Sequence, residues 1–81
     1  MPYYLYIVRC SDETLYTGIT TDLSRRIDEH NSETKGAKYT RSRRPVSLVY
    51  QEEYEDRSSA SKREYEVKKL SRKKKLLLIK S

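Results

Sequence analysis

The 81-residue chain has one cysteine, Cys10, one histidine, His30, and one asparagine, Asn31. A single cysteine excludes an internal disulfide framework and a multi-cysteine zinc site, and it fits a reduced, intracellular setting. Cys10 reads as a small buried hydrophobe, because a reactive thiolate needs an open electropositive site and only Arg9 adjoins it. Long apolar runs are absent too. The run near the end is LLLI, far short of the ~20 residues that cross a bilayer. The start, MPYYLYIVRC, has no basic leader and contains a proline. These absences lead us to expect a soluble, cytoplasmic protein with a single domain over residues 1–81 and a modest core.

Positive charge is abundant. The formal net charge is +6, and it is concentrated late in the sequence: from Arg57 onward ten basic residues face only Glu64 and Glu66, which leaves the first part slightly acidic. A basic segment of this kind attracts polyanions, nucleic acid foremost, although a solvated helix surface would look the same.

Local patterns give an order of elements. YYLYIVRC and LYTGIT are rich in aromatic and β-branched residues, and SDET between them carries turn chemistry, so the first twenty residues read as a β-hairpin. TDLSRRIDEHN reads as a helix capped by Thr21 or Asp22, with Leu23 and Ile27 as its apolar stripe and an end near Asn31. A polar, basic loop runs to Pro45 and holds Lys35, Lys38, Arg41, Arg43 and Arg44. VSLVYQEEY reads as a third strand. A second helix follows, capped by Asp56 or Ser58, with Ala60, Val67 and Leu70 on its buried side. Ser71 can cap a last helix, RKKKLLLIK, with Leu77 and Ile79 facing inward. The expected fold class is therefore α+β in the order ββαβαα, a small three-stranded antiparallel sheet flanked by helices.

The candidate site residues are Tyr6, Tyr16, Gly18, Arg26, His30 and Glu64. Tyr6 and Tyr16 sit on neighbouring strands and can form a cross-strand pair, as packing residues or as part of a site. Gly18 permits close approach of another element or a ligand. Arg26 and His30 lie one helical turn apart. A guanidinium near the helix–sheet boundary calls for an anion, a phosphate or a salt bridge to Asp22 or Glu29, unless it simply faces solvent. Glu64 can pair with Lys68 or ligate a divalent cation through its carboxylate.

Taken together, these residues resemble the GIY-YIG nuclease family. Its first motif corresponds to Tyr4-Leu5-Tyr6 and its second to Tyr16-Thr17-Gly18. Arg26 follows the glycine by eight residues, His30 by one more turn, and Glu64 lies on the next helix. The resemblance covers essentially the whole chain. It is similar to the small stand-alone bacterial members, and to the catalytic domain of the structure-selective nuclease that works with a scaffold subunit. Tyr4 replaces the first glycine of the family pattern and Thr17 the central residue of the second motif. Ile19 stands where many members have lysine, and the asparagine of a later motif is absent.

The resemblance implies hydrolysis of a DNA phosphodiester with one Mg²⁺ or Mn²⁺ ion. It assigns Tyr16 as general base beside Tyr6, Arg26 to phosphoryl charge, His30 to orienting phosphate or tyrosine, and Glu64 to the metal. A phenol with its ordinary pKa near ~10 needs a neighbouring cation for that task. Gly18 would let backbone and substrate come close, and Lys35, Lys38, Arg41, Arg43 and Arg44 would contact DNA phosphates. The expected substrate is branched, flapped or single-stranded DNA, in repair or recombination, cut by a monomer. Two other readings remain: a nucleic-acid-binding module with little cleavage of its own, and a catalytic subunit that needs a protein partner.

Overall fold

The computed structural model describes residues 1–32 and 42–80. Three strands, β1 (Tyr3–Arg9), β2 (Leu15–Thr20) and β3 (Ser47–Tyr54), form an antiparallel sheet in the order β2-β1-β3. Helix α1 (Leu23–His30) joins the hairpin to the segment before β3, and α2 (Arg57–Lys68) and α3 (Arg72–Lys80) follow β3. The expected ββαβαα order is the one observed among the described residues.

Strand β1 occupies the centre and its residues Leu5 to Val8 are all buried. Because successive side chains point to opposite faces, this strand divides the core in two. Tyr6 and Val8 pack with Cys10 and Val46 under Leu23 and Ile27 of α1. Leu5 and Ile7 pack with Val67 of α2, and Leu70, Leu78 and Ile79 close that side. The sequence suggested one core; the sheet makes two thin ones.

Local chemistry sets the element ends. The turn after β1 is closed by Cys10 N–H donating to the Thr14 carbonyl at 2.8 Å, with Glu13 in the left-handed region at φ 70°. Asp12 accepts from the Thr14 hydroxyl at 2.6 Å. Asp22 caps α1 by accepting from Arg25 N–H at 3.1 Å, and Asp56 caps α2 by accepting from Ser59 N–H at 2.7 Å. Ser71 Oγ accepts from Lys74 N–H at 3.3 Å at the start of α3. These side chains satisfy amide donors that the first helical turn leaves unpaired.

One expectation about α3 is corrected. Ile79 packs inward, but Leu77 is 60% exposed and Leu78 takes the inner place. Residues two apart on a helix point about 200° away from each other, so Leu77 and Ile79 cannot share a face.

A polar network fastens β3 to α2. The Glu52 carboxylate accepts from the Tyr50 hydroxyl, from the Tyr54 hydroxyl at 2.6 Å, and from Arg63 through Nε at 3.0 Å and Nη2 at 3.3 Å. Burial works against its charge, but these donors, Arg63 above all, hold its pKa below the ordinary carboxylate value. The network fixes the helix that carries Glu64.

Thr17 is an exception to this satisfaction. It lies opposite Ile7 in β2, it is buried, and its hydroxyl has no hydrogen-bond partner. A buried unpaired hydroxyl costs stability that an isosteric methyl does not. Thr17→Val is therefore expected to raise stability by about 1 kcal/mol. In urea unfolding this is a higher midpoint at an unchanged slope.

Candidate active site

The site begins at the centre of the sheet. The register pairs Tyr6 with Gly18 and Val8 with Tyr16. Tyr6 and Tyr16 therefore share a face as diagonal neighbours and are not directly opposed. Their ring centroids are 6.5 Å apart. The residue opposite Tyr6 is Gly18, and the Tyr6 ring lies over it. A Cβ built on Gly18 would stand 2.5 Å from the Tyr6 hydroxyl oxygen and 2.7 Å from Cζ. The close approach that Gly18 permits is thus that of the Tyr6 phenol.

Gly18→Ala should push this ring away from its partners, since real Cβ atoms do not come so near. Overpacking of this kind costs about 2 kcal/mol. Thermal unfolding of the variant measures it, and an unchanged melting temperature would show that the ring can move without loss.

Helix α1 brings the second half of the site. His30 is fully buried and Tyr6 is 1% exposed. The Tyr6 hydroxyl lies 2.7 Å from His30 Nε2. The imidazole packs edge-on against both phenols, with centroids 5.7 Å from Tyr6 and 5.2 Å from Tyr16. Arg26, one turn earlier, lies close enough to the Tyr6 phenol for the two to interact electrostatically. Its Nη1 donates to Glu29 Oε1 at 2.9 Å, and Glu29 accepts from Arg25 Nε at 3.2 Å as well.

Electrostatics decide the charge states along this chain of contacts. Burial pushes the Tyr6 pKa up to about 12; Arg26 opposes the rise, while Tyr16 and Glu64 add to it. Burial, aided by the Arg26 charge, pushes His30 down to about 4. Near neutral pH the phenol keeps its proton and the imidazole is uncharged. The neutral imidazole has one donor and one acceptor nitrogen, so its tautomer sets which partner donates in the bond between the Tyr6 hydroxyl and His30 Nε2. For Arg26, burial disfavours the charge, but Glu29 and Tyr6 outweigh it and raise its pKa.

Glu64 approaches from α2, whose Val67 packs on the other face of the sheet. Its side chain is 23% exposed and accepts from Lys68 Nζ at 3.2 Å. It is close enough for its charge to act on the Tyr6 phenol. Among the described residues no group of three or more His, Cys, Asp or Glu side chains could hold a metal ion. A lone, partly exposed carboxylate still fits Mg²⁺ or Mn²⁺, which take oxygen ligands and retain several waters when one carboxylate binds them.

The expected DNA-contacting residues are less concentrated. Lys35, Lys38 and Arg41 lie outside the described residues. Arg43 Nε donates to Asp12 at 3.0 Å, and its carbonyl accepts from Ser11 N–H at 2.9 Å, which ties it to the hairpin turn. Arg44 lines an open pocket of about 410 Å³ with Asn31, Ser42 and Pro45. Asn31, read from the sequence only as a helix end, also accepts from Val46 N–H at 2.7 Å and donates to the Val46 carbonyl at 3.2 Å. It joins the end of α1 to the start of β3. The Glu52–Arg63 network escaped the sequence reading as well; the alternation Tyr50, Glu52, Tyr54 on one strand face was its available signal.

Residues 2–76 match the GIY-YIG catalytic domain. The chain belongs to the GIY-YIG family. It is 63% identical over 79 residues to the UPF0213 protein DP2720 of Desulfotalea psychrophila, covering 98% of this chain and 72% of that protein. It is 58% identical over 78 residues to the UPF0213 protein SAV0488 of Staphylococcus aureus, covering 96% and 94%. The solution NMR structure of the UPF0213 protein BH0048 from Bacillus halodurans is similar, with a TM-score of 0.63 and 49% identity over 99% of this chain and 84% of that one. That of EF2693 from E. faecalis has a TM-score of 0.64 and 46% identity over 96% and 83%. This GIY-YIG chain is thus similar to small bacterial proteins. Among its described residues no helix is long and apolar enough to cross a membrane.

Proposed function

We propose that this protein is a metal-dependent endonuclease that hydrolyses DNA phosphodiesters, selecting branched, flapped or single-stranded structures over sequence, in DNA repair or recombination in the cytoplasm. The observation that carries this reading is the chain from Arg26 through Tyr6 to buried His30, set beside the partly exposed Tyr16. Such an arrangement spends a buried imidazole and a buried phenol on holding one arginine and one accessible phenol in place.

The roles divide by exposure. Tyr6 and His30 cannot meet a phosphate without movement, so they orient their neighbours. Arg26, with 27% of its side chain exposed, binds a phosphoryl oxygen through its fork and counters the charge that builds there. Tyr16, in its phenolate form with the Arg26 guanidinium on the same side of the sheet, accepts the proton of the attacking water as the new oxygen–phosphorus bond forms and the leaving oxygen departs with the bond's electron pair. Glu64 holds the divalent ion. When bound, that ion supplies positive charge to the phosphate oxygens.

The test is incubation of the protein with branched, flapped and linear DNA in Mg²⁺ or Mn²⁺, beside Arg26→Ala and Glu64→Gln. Metal-dependent nicking that both substitutions abolish supports the reading. Binding with no product from any substrate would leave a nucleic-acid-binding module. The contact between Glu29 and Arg26 supports a second reading, a catalytic subunit that a protein partner opens. Nicking that appears only when a partner is added would favour it.

A further inference from the structure

On α2, Ala60 and Val67 face the core and Glu64 lies at its margin. Tyr65, the next residue, is turned about 100° from Glu64 around the helix and is 63% exposed. Among the described residues it is the one tyrosine with this exposure; the others are buried or half-buried. It makes no contribution to either core cluster. Lys62, Lys68 and Lys69 lie three or four residues away and so are its neighbours on the helix surface, Lys68 being paired with Glu64. Lys69 Nζ sits 4.2 Å from the ring centroid. An accessible aromatic ring with lysines one helical turn to either side has the composition that single-stranded nucleic acid recognises: a π-face for a base and cations for the flanking phosphates.

We propose that Tyr65 is a stacking platform for an unpaired base of the substrate strand. This deepens the nuclease reading and rests on it. Stacking needs a base free of its duplex neighbours, so the platform favours single-stranded or flapped substrates over intact duplex. Lys62 and Lys69 would hold backbone phosphates of strand and duplex alike.

The chain has no tryptophan, so Tyr65→Trp introduces a single fluorescent reporter. Its emission should be quenched by an oligothymidylate strand and much less by a duplex of equal length. Tyr65→Ala should weaken strand binding about tenfold, in line with the energy of one base–aromatic stack, and leave duplex binding nearly unchanged. Lys62→Gln should weaken strand and duplex alike and reduce the salt dependence. Equal strand affinity for wild type and Tyr65→Ala would overturn the platform while leaving the nuclease reading intact. The same holds if Tyr65→Ala weakens strand and duplex equally, or if Lys62→Gln discriminates between them as Tyr65→Ala does. Absence of binding by the wild-type protein to either probe would overturn both. Circular dichroism of each variant should match the wild type, since these side chains are exposed.

Discussion

Arg26→Ala is expected to lower the rate of DNA nicking by roughly 10²–10³-fold, the loss seen when one donor to developing transition-state charge is removed. The guanidinium stands at the junction of two contacts. It donates to Glu29 at 2.9 Å, and its charge acts on the Tyr6 phenol. A phosphate arriving at this position replaces Glu29, which keeps Arg25 as a second partner at 3.2 Å. The contact with Tyr6 remains and keeps the fork aimed. Alanine removes both the charge and the aim. Arg26→Lys should recover only part of the rate, because an ammonium is a point charge without the fork. The defect should fall on kcat more than on KM, since positive charge counts most where phosphoryl charge develops. Stability should fall by about 1 kcal/mol, because alanine removes a part-buried hydrogen bond to Glu29 and a charge beside the buried Tyr6 phenol. A Glu64→Gln rate that matches the Arg26→Ala rate would tie both residues to one step. Full activity in Arg26→Ala would place phosphate binding elsewhere on the molecule.

Much of this site was legible in the sequence, and what was not has a physical reason. Helix starts follow local chemistry, so Asp22, Asp56 and Ser71 could be read as caps. The spacing of Arg26 and His30 put them on one helix side, and the fold keeps them there. Register is different. It depends on the loop of residues 10–14, and it decides that Tyr6 faces Gly18 instead of Tyr16. The burial of His30 is likewise not local: it requires α1 to lie across the Tyr6 face. Glu64 belongs to a helix on the opposite side of the sheet, so only the folded chain shows that its charge reaches the phenol. The Glu52–Arg63 clamp joins residues eleven apart in two elements, beyond any helical or strand period.

Acidification is expected to weaken the fold between pH 6.5 and about 4, and His30 is the cause. In the unfolded chain the imidazole takes up its proton near 6.5; in the folded chain burial, together with Arg26, delays this to about 4. Between these values the unfolded state holds more protons, so stability falls as pH falls. The contribution of His30 is complete above 6.5 and is lost by about 4, worth up to roughly 3 kcal/mol at 1.36 kcal/mol per pH unit. At the alkaline end Tyr6 acts in the opposite sense. Its pKa rises from 10.0 to about 12, so the unfolded chain loses that proton first and stability falls as pH rises through this range. The contribution of Tyr54, raised to about 12 chiefly by its bond to Glu52, runs the same way. A plateau between about pH 6.5 and 10 is the expected profile. Urea unfolding of the wild type and of His30→Gln across pH 4 to 7 separates His30 from the carboxylates, whose depressed values act at lower pH. The variant should start less stable and lose less on acidification. Parallel curves would show that the Tyr6–His30 contact does not couple this imidazole's charge to folding.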